Sequence, residues 1–315
     1  MKLLPISSER TLERCKRFRD DQTKALFIAS YPKSGTTWLQ AICYHLIVKN
    51  LEKSDVETPQ LGHISDYAPF YEVDNSWNQD SEDACLLLAK YNEAHAALKC
   101  RIFNTHLTPQ MLPLDAPSTR AIYVVRQARD VAFSFYHHLS NQDEASGGGA
   151  WSSFDEFLHS WMRGELPYSK WSDHLALWLS YIEEQGAEGE EQKKTLLLTY
   201  EELCHDLPSS LIKICEHLDL SLTREDIEEV APRLSFAGMK KEADKYQPVS
   251  VGWKPGFNFL RKGVVNDSYS HFYDEESGNP TALGQEYAVV MEGSLRDVET
   301  RCSAHTLSLI TSLSS

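Results

Sequence analysis

Four short apolar runs stand out along the chain: residues 25–31 (ALFIASY), 101–106 (RIFNTH), 120–125 (RAIYVV) and 195–200 (TLLLTY). Each has the length of a strand, and their largely unbroken apolar character predicts burial on both faces. Helical spacing follows or separates them, over residues 38–47, 86–97, 130–139, 153–163, 172–185, 209–218 and 224–234. Beyond Lys240 the pattern becomes irregular. Strands alternating with helices predict an α/β fold with a mainly parallel central sheet flanked by helices. No internal repeat or long linker divides the chain. The reading is a single domain over residues 25–315 behind an N-terminal extension, residues 1–24. The polar, glycine-rich stretch 143–150 (DEASGGGA) is expected to be a mobile loop.

In such sheets ligands bind beyond the carboxyl ends of the strands, where strand order reverses. Lys33, His106 and Arg126 all fall just past strand ends. That placement predicts that they converge.

Composition narrows the partners. A 42% hydrophobic content with 12 Phe, 14 Tyr and 7 Trp fits a globular core. A formal net charge of −15 makes the chain a poor general binder of nucleic acid or anionic membrane. An anionic ligand would need a local cluster of cations and backbone N–H groups. No stretch approaches the roughly 20 apolar residues that span a bilayer. The charged N-terminus lacks an apolar signal core, so a cytoplasmic location is expected. Seven widely spaced cysteines form no C-x-x-C pair, which argues against a disulfide framework or zinc site.

The strongest local signal is Tyr31-Pro32-Lys33-Ser34-Gly35-Thr36-Thr37-Trp38, between a buried strand and a helix. Gly35 lets backbone N–H groups turn inward, the helix N-terminus adds its dipole, and Lys33 adds a point charge. The order is not Walker A, where lysine follows the second glycine. Nucleoside triphosphate hydrolysis is therefore disfavoured.

At these residues the chain resembles the cytosolic sulfotransferase family, whose 5′-phosphosulfate loop reads Y-P-K-S-G-T-T-W. The resemblance implies a P-loop-like nucleotide-binding core and a transferase acting on 3′-phosphoadenosine 5′-phosphosulfate (PAPS). It implies that Lys33 holds the bridging oxygen and sulfonate, that Ser34, Gly35, Thr36 and Thr37 bind the 5′-phosphate, and that Trp38 stacks on adenine. Arg126 and Ser134, eight positions apart, resemble the family's 3′-phosphate segment, and Arg261-Lys262-Gly263 its R-K-G segment. Read alone, Arg126 and Asp130 also have the spacing of a helix-end ion pair. Tyr200, in Tyr200-Glu201-Glu202-Leu203, and Phe236, in Ser235-Phe236-Ala237-Gly238-Met239-Lys240, resemble two further nucleotide contacts. Leu234 replaces the usual threonine there.

Asn104-Thr105-His106-Leu107 resembles the family's K-T-H-L, whose histidine is the general base. A histidine titrates in the range that such chemistry needs. Asn104 departs from the family lysine. The acceptor is expected to be a small molecule, sulfated on a hydroxyl or amine, with adenosine 3′,5′-bisphosphate left behind and no metal involved. Residues 67–77, 147–151 and 246–257 are the expected walls of its pocket, with Asn104, Tyr67, Phe70 and Tyr71 as contacts. Asp66, Glu72 and Asp74 also suggest a cationic acceptor. The family's dimerisation segment is absent from residues 266–275, so a monomer, or a dimer built otherwise, is expected. Two other readings stand beside this one: a P-loop-type kinase or hydrolase, and a non-catalytic nucleotide-binding protein on the same fold.

Overall fold

The structure, a computed structural model, describes residues 3–19, 23–54, 56–78, 80, 91–146, 148–149, 151–187 and 194–300. The four apolar runs form the strands β1 (Ala25–Ala29), β2 (Arg101–Thr105), β3 (Thr119–Val125) and β4 (Thr195–Thr199). They make one parallel sheet in the order β2-β1-β3-β4. Every residue of β1 is buried, because helices cover both faces of the sheet. The chain leaves β1 toward β2 on one side and returns to β3 on the other. The reversal of direction therefore falls beside β1. Register aligns Ala29 with Thr105 on one side and with Tyr123 on the other, so the loops after three strands open at one level.

Two cores flank the sheet. On one face Phe27 and Phe103 stack with centroids 5.2 Å apart, Tyr71 and Phe18 meet them edge-on or tilted, and Trp77 packs in turn on Tyr71 and Phe18. Such ring pairs each add about 0.5–1.5 kcal/mol beyond the area they bury. On the other face Leu39, Ile42 and Leu46 of the helix α2 (Thr36–Glu52) pack with Leu26, Ile28 and Ile122.

Sequence and structure differ mainly at the ends. Residues 1–24 contain a helix, α1 (Glu9–Arg17), and irregular residues beyond Lys240 give way to a long helix, Ala282–Glu299. Ser8 caps α1 and, with Thr11, donates to Asp74 at 2.7 and 2.6 Å, while Cys15 and Phe18 enter the core. The cap itself is local, but the contacts to Asp74 that dock the helix cross more than sixty positions, so local spacing did not reveal them. Of the helix expected over 86–97, the described part runs Asn92–Leu98; residues 81–90 lie outside the described residues. Gly147 and Ala150 of the expected loop also lie outside them. Its described portion makes the short turn Glu144–Ser146, where the Ser146 hydroxyl accepts from Gly252 N–H at 2.8 Å. No helix among the described residues is long and apolar enough to cross a membrane.

Candidate functional site

A cavity of about 970 Å³ opens at the carboxyl end of the sheet. Each strand delivers a site residue to it: Lys33 after β1, His106 after β2, Arg126 after β3 and Tyr200 after β4. Gly35, Thr36, Thr37, Trp38, Ser134, Phe236, Arg261, Lys262 and Gly263 also line it, as do Asn104 and Phe70. Ser34 is buried beneath the loop.

The loop after β1 has the geometry of an anion cradle. Gly35 caps α2 at φ 112° without any side-chain cap, so the first N–H groups of the helix stay open. A Cβ on Gly35 would stand 2.9 Å from the Tyr200 ring. Lys33 itself takes φ 72°, a left-handed conformation that costs a non-glycine residue about 1–2 kcal/mol. Such strain is retained where side-chain placement matters. Burial, then the charges of Arg126 and Arg261, bring the Lys33 ammonium down to about 7.

Arg126 lies with its guanidinium carbon 4.3 Å above the Tyr200 ring. It donates to Val264 O at 3.2 Å and Lys33 O at 3.4 Å, and pairs with Asp130 at 3.4 Å. The ion pair suggested by spacing thus exists, yet Arg126 still lines the cavity. Asp130 is shared further: it accepts from Asn266 N–H at 2.8 Å and from the Ser268 hydroxyl at 2.7 Å. Arg261 and Lys262 meet there too, both paired with Asp267, the lysine at 2.7 Å. Gly263, at φ 66°, passes so close to Phe236 that a Cβ would sit 2.0 Å from the ring. The indole N–H of Trp38 donates to Leu234 O at 2.7 Å, and its ring meets Tyr200 edge-on at 5.5 Å.

His106 is fixed from several sides. Its Nδ1 lies 2.8 Å from Ser30 O, its backbone N–H donates to Glu72 Oε1 at 2.7 Å, and its carbonyl accepts from His174 Nε2 at 3.0 Å. A carbonyl can only accept, so Nδ1 carries the proton and Nε2 is the basic nitrogen. Phe70 and Tyr168 meet the ring edge-on at 5.4 and 5.3 Å. Burial lowers the imidazole to about 3 against the raising effect of the Ser30 bond; His174 and Lys33 add to the fall. The same burial pushes Glu72 up to about 7, against its bond from His106 N–H.

Two expected acceptor contacts are corrected. Tyr71 is fully buried in the core, where its hydroxyl donates to Cys15 O at 2.9 Å, so it does not reach the cavity. Tyr67 packs against Tyr44 at 4.8 Å and donates to Gln60 O; it is not among the lining residues. Tyr67 ends the short helix Ile64–Tyr67, whereas Phe70 pairs with Asn104 beside β2 and the next residue, Tyr71, packs against Phe27 and Phe103. The three carboxylates are also engaged or remote. Glu72 serves His106 and Tyr168, Asp74 accepts from Ser8 and Thr11, and Asp66 does not line the cavity.

Sequence reasoning missed other contributors. Leu3, Leu4, Pro5 and Ile6 of the N-terminal stretch line the cavity, held by Asp74 N–H donating to Ile6 O at 2.9 Å. His138 also lines it, with Nδ1 3.1 Å from Lys33 Nζ. Its position four residues past Ser134, on the same helix face, was the available signal.

The family model for the sulfotransferase domain matches residues 23–282. Human sulfotransferase 1E1 is 31% identical over 252 residues, 78% of this chain and 78% of that protein. Human sulfotransferase 2B1 is 30% identical over 298 residues, 92% of this chain and 72% of that protein. In fold, the chain resembles mouse sulfotransferase SULT7A1 complexed with PAP, with TM-score 0.65 and 23% identity, covering 95% of this chain and 93% of that one. Retinol dehydratase in complex with androsterone and inactive cofactor PAP also gives TM-score 0.65, at 21% identity, over 92% and 87% of the two chains.

Proposed function

The chain belongs to the sulfotransferase family, and from that premise we propose that it moves a sulfuryl group from PAPS to a hydroxyl or amine of a small molecule. The observation that carries the reading is convergence: Lys33, His106 and Arg126, from three adjacent strand ends, line one cavity. The residues fit the nucleotide. Ser34 Oγ and Arg126 Nε are buried without a hydrogen-bond partner, as groups awaiting phosphate oxygens would be. The uncapped start of α2 offers further donors.

PAPS, when bound, supplies the sulfuryl group and a phosphate as leaving group. His106 Nε2 takes the proton from the attacking oxygen or nitrogen as that atom bonds to sulfur. Lys33 neutralises the electron pair left on the phosphate oxygen as its bond to sulfur breaks. Arg126 can grip phosphate through two parallel hydrogen bonds, with Ser134, Arg261 and Lys262 beside it. Trp38 and Phe236 offer the apolar faces for adenine. Ser30 holds the His106 tautomer so that no rearrangement precedes proton transfer.

Asn104 stands where the family's lysine would, and its Oδ1 is buried and unpartnered. It offers the acceptor a hydrogen-bonding carbonyl rather than a cation. In the same cavity, Phe70 and the apolar stretch Leu3–Ile6 favour an apolar acceptor over a cationic one.

The test is incubation with sulfur-labelled PAPS and a panel of apolar alcohols, phenols and amines. Labelled product should appear with an equal amount of adenosine 3′,5′-bisphosphate. Tight binding of that bisphosphate with no product from any acceptor would favour the non-catalytic reading. Absence of both would end the proposal.

A further inference from the structure

His138 is a polar group of the cavity that the chemistry above leaves unused. Its Nδ1 lies 3.1 Å from Lys33 Nζ. An ammonium only donates, so Nδ1 is the bare acceptor and the imidazole proton sits on Nε2. Among the described residues it is the hydrogen-bond acceptor within reach of Nζ. Aromatic rings fix the pair: Trp253 meets the imidazole edge-on at 5.0 Å and Phe259 at 6.2 Å, and Nζ stands 4.3 Å over Phe259.

We propose that His138 is a positioning residue for Lys33, its Nδ1 orienting the ammonium toward the point where nucleotide and acceptor meet. The inference rests on the reading of Lys33 as the cation that assists the leaving group. The surroundings explain the need. His106 comes from the end of β2, Arg126 from the end of β3 and Arg261 from the segment beside Phe259. Arg126 and Arg261 are cations and repel the ammonium, while neutral His106 turns its protonated Nδ1 to Ser30 O. A neutral imidazole is the group that can hold a lysine proton there without neutralising its charge. Burial, together with Lys33 and His106, keeps His138 well below the usual histidine range and hence neutral.

Lysine labelled with ¹³C at Cε, observed by NMR in the protein without nucleotide, reads the Lys33 pKa directly; Lys33→Met assigns the signal. His138→Phe should lower that pKa by about one unit, the effect of losing one hydrogen bond to a charged group. His138→Asn, whose amide oxygen replaces Nδ1, should restore it. In turnover, His138→Phe should lower kcat about tenfold, leave KM for PAPS unchanged and move the alkaline limb of the pH profile to lower pH. Should His138→Phe not fold, His138→Leu allows the same measurements. An unshifted Lys33 pKa and an unmoved alkaline limb overturn the role of His138. Full activity in Lys33→Met overturns instead the reading of Lys33 on which it rests.

Discussion

Nδ1 of His106 lies 2.8 Å from the carbonyl oxygen of Ser30, so the two adjacent strands β1 and β2 together decide which imidazole nitrogen is basic. Neither residue could do so alone. His106→Ala should reduce kcat by roughly 10²–10⁴-fold, the usual contribution of a general base. Binding of adenosine 3′,5′-bisphosphate should persist, since the phosphate contacts come from other elements. Single-turnover kinetics and calorimetry separate the two effects.

Lys33 should take up a proton when nucleotide binds. Its ammonium is lowered to about 7, so near pH 8 it is mostly neutral in the free protein. A bound bisphosphate favours the charged form and raises the pKa. Calorimetry at pH 8 in buffers of different ionisation enthalpy should show uptake of up to about one proton per site. Lys33→Met should remove that uptake.

Arg126 should matter for affinity more than for chemistry. Charge-assisted hydrogen bonds contribute about 1.5–3 kcal/mol each, so Arg126→Ala should weaken bisphosphate binding at least about tenfold. Arg126→Lys should restore the charge but not the paired geometry, and so recover only part of the loss. Titration calorimetry on the three proteins checks the order.

Glu72 should make stability depend on pH. Its folded-state pKa of about 7 exceeds the ordinary 4.5 because the carboxyl is buried. A raised pKa favours the folded state fully below about 4.5 and loses that contribution as pH rises through about 7. Ionising it in place costs on the order of 3 kcal/mol. Glu72→Gln keeps an oxygen for His106 N–H and cannot ionise. Its Tm relative to the parent should therefore rise between pH 5 and pH 8. A constant difference over that range would refute the buried-carboxyl argument.

Much of the site was legible because it is local. Residues 31–38 place a lysine, a glycine and two hydroxyls between a buried strand and a helix, and the backbone does the rest. Arg126 and Ser134 were picked out by their resemblance to a family segment, and both line the cavity. Tyr67 and Tyr71 were not legible, because their places are set by partners distant in the chain: Tyr67, ending the helix Ile64–Tyr67, packs on Tyr44, and Tyr71 packs on Phe27 and Phe103. The helices Glu9–Arg17 and Ala282–Glu299 escaped the reading for a related reason, since their apolar faces are matched to partners distant in the chain.

By itself the sequence determined the parallel sheet, the glycine turn between β1 and α2 and the residue types at the strand ends, since these follow from hydrophobic period and backbone stereochemistry over a few residues. Tertiary structure alone decided which strands are neighbours, and through that order it set the contacts of Lys33 and His106 at the cavity. Lys33 meets His138 across 105 positions and His106 meets Ser30 across 76. Contacts over such separations depend on how the whole core packs, and no local pattern of residues encodes them.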